Sequence, residues 1–479
     1  ETAAELCVVG DADQSIYGFR GATIRNILQF EMDYPNATTV LLEQNYRSTQ
    51  NILNAANAVI TKNESRKEKN LWSDAGAGSP LTGYVAESEH DEANFIADEI
   101  RSLQRDGDST PGETAIFYRT NAQSRVFEEV FMRMALPYKV VGGLRFYERR
   151  EVKDLLAYLR VLANCEDEIS LRRIINIPKR GIGDTSLDYV DQFAQSSGIS
   201  FWQGLLRCKE ITSVPARAAQ AMSEFTSMIS ALSVLVEAKV KPSVIVEAAL
   251  EQSGLLKELA ESTDPQDEVR VENLKELVAV SMEYEERSFE ELGEDEEISL
   301  AGFLEKVSLV ADADEIPEGD DHGGVVTMMT LHTAKGLEFP TVFLTGMEDG
   351  IFPHSRTFDD KDEIEEERRL AYVGLTRARK RLYISRAEYR STWGAPNYNP
   401  PSRFLDEIPE DVIVWRNQSS DSLISSVTKK TRFASAPPPR ATGKKSMAME
   451  LAVGERVSHD TFGLGTVVAV AGAGDKAEA

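Results

Sequence analysis

Cysteine is scarce in this sequence. The three present among 479 residues, Cys7, Cys165 and Cys208, lie far apart and form no CxxC spacing. That excludes a disulfide framework and a sequence-local zinc site, and it fits a reducing, cytoplasmic compartment. Long apolar runs are missing too: no stretch approaches the roughly 20 apolar residues of a membrane span, and the N-terminus has no charged-then-apolar signal pattern. Basic charge is in deficit, with 53 Lys and Arg against 79 Asp and Glu, a net charge of −26. Taken globally this argues against a nucleic-acid partner, because phosphate binding needs cations. The deficit is concentrated, however. Residues 285–321 hold 15 acidic and 2 basic side chains, half of the net charge, so a basic groove elsewhere stays open. A GxxxxGK[ST] phosphate loop is also absent; Thr442-Gly-Lys-Lys445 lacks the first glycine and the hydroxyl.

What is present reads as an α/β chain of two to four domains. Residues 1–45 suggest strand, loop, helix and strand, with β-rich runs at 6–9 and 39–42. Further strands are expected at 81–86 and 115–118. From about 148 to 310 the pattern turns helical: Val152, Leu155, Leu156, Leu159 and Leu162 keep an i, i+3, i+4 register, and similar periodicity recurs at 215–240, 243–259 and 273–284. Strands at 325–330, 341–345 and 381–385 and a helix at 363–374 restore the α/β pattern. A helical domain inserted into an α/β domain is the economical organisation. Residues 416–447 are rich in Ser, Thr, Pro and Lys and read as a flexible linker. Because the chain opens on Glu1 and runs at once into an apolar strand, upstream sequence is expected to be missing, and 448–479 reads as a small β piece cut short.

Four clusters carry chemistry. In Val9-Gly-Asp-Ala-Asp-Gln-Ser-Ile-Tyr-Gly-Phe-Arg-Gly-Ala22, Gln14 is a candidate to orient a water or sense a terminal phosphate. Tyr17, Phe19 and Arg20 offer two π faces and a cation for bases and phosphates. A polar loop with core aromatics explains the same string. In Leu42-Glu-Gln-Asn-Tyr-Arg-Ser-Thr49, Tyr46 is placed to stack a purine and Arg47 to bridge a phosphate, although an exposed helix start capped by Ser48 or Thr49 fits equally. In Met329-Thr-Leu-His-Thr-Ala-Lys-Gly-Leu-Glu-Phe-Pro340, His332, Lys335 and Glu338 crowd one short connection, and Glu338 suits ribose hydroxyls. In Glu365-Glu-Glu-Arg-Arg-Leu-Ala-Tyr-Val-Gly-Leu-Thr-Arg-Ala-Arg379, an amphipathic helix ends where Arg377 can present a guanidinium to a neighbouring domain.

In order and wording, these four clusters closely resemble the third to sixth motifs of the UvrD/PcrA/Rep family of superfamily 1A DNA helicases, over roughly residues 1–410. The resemblance implies ATP clamped between two RecA-like domains. Residues 1–45 would end the first (1A), 46–147 and 323–415 would form the second (2A), and 148–322 the helical 2B insertion. Residues 448–479 would begin a Tudor-like domain, whose counterpart in relatives meets RNA polymerase. It implies Gln14 at the γ-phosphate, Tyr46 on adenine, and Arg47 and Arg377 as arginine fingers. Glu338 would lie near the ribose, with Lys335 in the same nucleotide-binding connection, and His332 would link nucleotide to DNA. Single-stranded DNA would meet Tyr17, Phe19, Arg20, Arg119, Asn121, Arg145 and His354, and Trp393 would tip a strand-separating hairpin. Ile177-Pro-Lys-Arg-Gly-Ile-Gly183 resembles a duplex-phosphate contact in which Lys179 and Arg180 supply charge and Gly181 and Gly183 close approach. ATP with Mg²⁺ is the implied cofactor, its metal carboxylates expected upstream of Glu1. The implied activity is 3′→5′ unwinding of DNA at single-strand/duplex junctions in repair or replication, with these residues inactive alone. A helicase–nuclease subunit or a non-catalytic DNA- or polymerase-binding module are the alternatives.

Overall fold

Apolar runs rich in β-branched and aromatic residues form the central strands of a parallel sheet, Thr114–Tyr118 and Val326–Thr330 being buried on both faces, while the edge strands are partly exposed. In chain order the strands are β1 (Leu81–Ala86), β2 (Thr114–Tyr118), β3 (Tyr138–Val141), β4 (Val326–Thr330), β5 (Phe339–Leu344), β6 (Ala378–Ala387), the short β7 (Arg390–Thr392) and β8 (Ala395–Asn397), and β9 (Ile413–Arg416). The computed structural model describes residues 7–18, 21–64, 66–262, 264–292, 298–312, 323–392, 395–416, 456–459 and 463–466. One seven-stranded sheet has the order β3-β4-β2-β5-β6-β1-β9, every neighbouring pair parallel. Ala115 faces Thr327 on one side and Val342 on the other. β7 and β8 form a separate antiparallel hairpin.

Helices cover both faces. α1 (Arg25–Leu28) and α2 (Phe30–Asp33) are single turns; α3 (Gln50–Ile60), α4 (Glu89–Arg105), α5 (Ser124–Arg133) and, later in the chain, α15 (Lys361–Leu375) are longer. Ile52 and Val59 of α3 and Leu370 and Val373 of α15 pack with Phe117, Leu344 and Ile384. On the opposite face Ile96 and Ile100 of α4 and Phe127 and Phe131 of α5 meet Ile116, Met328 and Phe343. α4 and α15 begin on side-chain caps, Ser88 and Asp360, that satisfy otherwise orphaned amides.

Between β3 and β4 the described chain is helical: α6 (Arg150–Ala163), α7 (Glu168–Ile174), α8 (Asp184–Ser197), α9 (Phe201–Leu206), α10 (Ala216–Glu237), α11 (Pro242–Ser253), α12 (Leu255–Ala260), α13 (Pro265–Leu292) and α14 (Leu300–Asp312). They bury a core of their own, with Leu155, Leu159, Phe225, Ile245, Leu277 and Phe303 at its centre. The expected helix over 243–259 breaks in two at Gly254, whose φ of +82° is a left-handed stop. α10 is long and apolar enough, by length and composition alone, to cross a membrane, contrary to the expectation that no stretch comes close. Its Met222, Phe225, Ile229 and Leu232 lie in the helical core.

Two expected strands do not form. Residues 7–9 and 39–42 are irregular, and Val9 (88%) and Leu42 (76%) are exposed. β propensity becomes a strand only beside a partner, and among the described residues the single bridge here joins Gln44 to Trp72. Arg416, expected to open a linker, instead ends β9 opposite Tyr84. Residues 419–479 form a second unit. There β10 (Arg456–His459) pairs antiparallel with β11 (Gly463–Thr466); the remaining linker residues lie outside the described set.

Candidate functional site

Arg47 is aimed by its own turn. Asn45 Oδ1 accepts from the amides of Arg47 (2.8 Å) and Ser48 (2.9 Å), an Asx turn. Ser48 Oγ then donates to the Ala378 carbonyl at 2.6 Å, pinning the turn to the first residue of β6. The Arg47 guanidinium reaches Glu338, at the entry to β5, and donates to the Thr376 carbonyl at 3.4 Å. Arg377 sits beside it, only 2% exposed, donating to the carbonyls of Val373 (3.1 Å) and Leu337 (3.3 Å) and to Thr376 Oγ1 (3.1 Å). Burial first, and the like charge of Arg47 second, push the Arg377 guanidinium down to about 10. Arg379 stands 3.9 Å from the far oxygen of Glu338. The hydrogen bond from Arg47 holds that carboxyl below its ordinary value. Arg47 and Arg379 thus reach one carboxylate with Arg377 acting on it through space, a surplus of cationic forks that matches the planar oxygens of a polyphosphate. Tyr46, 85% exposed with its hydroxyl donating to Gln44 Oε1 at 2.9 Å, keeps its ring open for stacking.

A second group gathers around the first cluster. Lys335 Nζ donates to the Gln14 carbonyl at 2.8 Å and lies 5.0 Å above the Tyr17 ring. Tyr17 donates to the His332 carbonyl at 3.2 Å, with the two rings 6.3 Å apart. The Gln14 side chain donates to Asp11 at 2.6 Å, and Asp11 is close enough to act on Arg377, so the two groups share one field. Lys335, expected in the nucleotide-binding connection, is bonded to the 14–17 loop that carries Gln14.

The expected nucleic-acid residues divide. Arg119 turns inward: its Nε and Nη2 grip Glu367 of α15 at 2.8–3.1 Å with both side chains largely buried, so its guanidinium is committed before any phosphate arrives. Arg180 is likewise occupied. Its Nη1 donates to the carbonyls of Ile174, Ile175, Ile177 and Pro178 at 2.9–3.3 Å, and its Nη2 to Tyr158 (2.6 Å) and the Ser253 carbonyl (3.1 Å). Its neighbour Lys179 is exposed, and Gly181 (φ +75°) and Gly183 face open space. His354 caps a short turn and meets Glu272 of α13 at 3.3 Å. Arg145 lies 5.5 Å over the Tyr138 ring, and the Asn121 carbonyl accepts from Arg149 at 3.1 Å. Phe19, Arg20 and Trp393 lie outside the described residues; the β7–β8 hairpin flanks Trp393 on both sides.

Sequence reasoning missed the acidic residues that set these positions. Glu366 accepts the Gly18 amide at 2.8 Å and so holds the 14–18 loop against α15. Asp13, 1% exposed, is gripped by Arg66 at 3.0 and 3.2 Å. Arg390, at the root of the β7–β8 hairpin, is buried between Glu348 and Glu92 at 2.5–3.1 Å. One signal was available: the unbroken Glu365-Glu-Glu-Arg-Arg369 string winds around a helix, so some of it must be buried, and Glu365, Glu367, Arg368 and Arg369 are.

Residues 40–389 match the UvrD-like helicase C-terminal domain and residues 1–35 the UvrD/REP helicase N-terminal domain. Over 99% of its length the chain is 54% identical to ATP-dependent DNA helicase UvrD1 of Mycobacterium tuberculosis, covering 62% of that protein. It is 51% identical to UvrD1 of Mycobacterium leprae (99% of this chain, 62% of the relative) and 43% identical to ATP-dependent DNA helicase PcrA of Bacillus subtilis (100% and 64%). The chain therefore spans somewhat under two thirds of the length of these curated relatives.

Proposed function

The chain belongs to the UvrD/PcrA-type helicase family, and from that premise we propose that the whole protein is an ATP-dependent 3′→5′ DNA helicase or translocase. The observation that carries this reading is the convergence of Arg47, Arg377 and Arg379 on Glu338, three guanidiniums from two separate motifs around one carboxylate. Arg47 and Arg377 act as fingers on the transferred phosphoryl group, Tyr46 stacks on the base and Glu338 meets the ribose. Gln14 senses the γ-phosphate, and the Tyr17–Lys335–His332 contacts carry its state to single-stranded DNA. The sheet corresponds to domain 2A, the helices between β3 and β4 to the 2B insertion, and β10–β11 to the start of a Tudor-like domain for which RNA polymerase is the proposed partner.

The residues present fit the phosphates of ATP. They do not fit a magnesium ion: Glu338 is the carboxylate among these guanidiniums, and Arg47 holds it. No step through a metal is derived from these side chains. With no phosphate-loop motif in the sequence, the 479 residues alone are expected to give no DNA-stimulated ATP turnover above a no-protein blank. A clear DNA-stimulated rate would show that the surplus of guanidiniums suffices without that cradle.

Tailed duplexes test the activity itself. The whole protein should unwind a duplex carrying a 3′ single-stranded tail when ATP is supplied, and leave a 5′-tailed duplex intact. The opposite preference would reverse the polarity proposed here, and no unwinding of either would remove the helicase reading. Tyr17→Ala should weaken binding to single strands about tenfold to a hundredfold, the worth of one base–aromatic stack, with a smaller effect on duplex. Anisotropy on matched oligonucleotides reads this. Equal losses on both DNAs together with a large drop in melting temperature would place Tyr17 in the core instead.

A further inference from the structure

α4 opens with Glu89 and His90, directly after its Ser88 cap. Across from them runs α13, the long helix that brings Leu277 to the helical core. His90 Nε2 lies 3.5 Å from Glu283 Oε2 of α13, and one ligand atom each from Glu89, His90 and Glu283 fall within 4.8 Å of one another. Glu89 is 7% exposed. One of its oxygens accepts the amide of Ser391 in β7 at 2.9 Å. The other, Oε2, is buried and makes no hydrogen bond, and neither does the buried Nε2 of His90. A buried carboxylate oxygen and a buried imidazole nitrogen left without hydrogen bonds in one small space are costly unless something else meets them.

The surroundings favour a cation there. The buried Arg125 divides its donors among Glu129 (2.9 Å), Glu276 (2.5 Å) and both oxygens of Glu283 (2.7 Å to Oε1, 3.2 Å to Oε2), one guanidinium against three carboxylates. Arg287 is the other guanidinium acting on His90 and Glu283. Glu89, Glu129, Glu276 and Glu283 therefore outnumber the guanidiniums beside them.

We propose that Glu89 Oε2, His90 Nε2 and Glu283 Oε2 form a binding site for a borderline divalent cation of the Zn²⁺ or Mn²⁺ class. One imidazole and two carboxylates suit such ions better than the all-oxygen shells preferred by Ca²⁺ and Mg²⁺. Metal–ligand bonds of about 2.0–2.2 Å set tetrahedral donors roughly 3.4 Å apart, and His90 Nε2 and Glu283 Oε2 already stand 3.5 Å apart. The ion would join α4 to α13 and, through the second oxygen of Glu89, both to the root of the β7–β8 hairpin.

The test uses the 479-residue chain without nucleotide, titrated separately with ZnCl₂ and MnCl₂. Calorimetry and dialysis should show one retained equivalent of at least one of them, with a rise in melting temperature. His90→Gln and Glu89→Gln should each weaken binding at least tenfold and abolish the thermal shift. His354→Gln, which alters a histidine paired with Glu272 alone on α13, should leave both readouts at wild-type values. Mn²⁺ at one equivalent should also broaden the His90 ring resonances in the unmutated chain, a readout independent of any variant's folding. A plain His90–Glu283 ion pair predicts none of this. Wild-type protein that retains no equivalent of either ion, variants that bind as tightly as wild type, or a His90 ring left unbroadened by retained Mn²⁺ would each overturn the site.

Discussion

Replacing Arg377 by methionine in the whole protein is expected to cut ATP turnover by on the order of 10³, the loss seen when an arginine finger is removed in related phosphoryl-transfer systems, while the melting temperature stays level or rises. The two halves of this outcome have separate causes. Arg377 is a buried cation without a carboxylate in its hydrogen bonds; its donors go to two carbonyls and a hydroxyl, and Arg47 lies against it. Burial and that neighbour depress its pKa to about 10. A base whose folded pKa is depressed destabilises the fold while charged, and the penalty fades only as pH rises through about 10. At pH 7 to 8 the protein therefore carries the full cost of the charge, and an apolar side chain of similar volume relieves it. Such a cost at a site with a cationic surplus is the mark of a group held for chemistry. Arg47→Ala should bring a similar fall in turnover with little change in melting temperature, because Arg47 is about 29% exposed and pairs with a partly exposed Glu338. Steady-state ATPase rates and melting curves on both variants are the measurement. Near-wild-type turnover in either one would show that its arginine is no finger, and a sharp loss of stability in Arg377→Met would make Arg377 a strut for the end of α15.

Where the sequence was informative, the reason is local. Strands buried on both faces have to be continuous apolar runs, so β1 is legible to the residue and β2, β4, β5 and β6 to within a few. The helices between β3 and β4 announce themselves by periodicity, although only the left-handed Gly254 explains why one of them breaks. The residues proposed for the nucleotide, Tyr46, Arg47, His332, Lys335, Glu338 and Arg377, stand out because they occur in short strings that ordinary loops do not need. The rest depends on which distant partner each charge finds. Arg119 and Glu367 are 248 positions apart, Gly18 and Glu366 348 apart. No spacing rule connects them, so neither partnership can be read from the sequence. Propensity misled at residues 7–9 and 39–42 for the converse reason: the runs are β-rich, but a strand also needs a neighbour.

Arg180 and Lys179 make the same point with opposite expected effects. They are adjacent, both basic, and both read from sequence as phosphate contacts, yet one is spent and the other is exposed. Arg180 donates to five backbone carbonyls and the Tyr158 hydroxyl and lies 5.1 Å over the Phe225 ring, tying the 174–178 turn to α6, α10 and the end of α11. Its hydroxyl contact helps offset the burial that pushes Tyr158 up to about 12. Arg180→Ala leaves these acceptors without donors inside the helical core. Each stranded group costs about 1–3 kcal/mol when fully buried. Because these are only partly buried and some will find water, a total of about 2–4 kcal/mol is expected, a fall of roughly 5–12 °C in melting temperature. Duplex-DNA affinity of the folded protein should change little. Lys179→Ala should do the reverse: no measurable loss of stability, weaker duplex binding irrespective of sequence, and a log K against log salt slope reduced by about one, the signature of one lost phosphate contact. Gly181→Ala separates position from charge. Its φ of +75° disfavours any side chain although the space beside it is open, so duplex binding should fall with the salt slope unchanged if backbone amides there approach phosphate. Melting curves and salt-series anisotropy on the three variants decide the matter. An Arg180→Ala protein with an unchanged melting temperature and a shallower salt slope would return that guanidinium to the DNA, and an unchanged slope in Lys179→Ala would remove the 177–183 turn from the duplex interface.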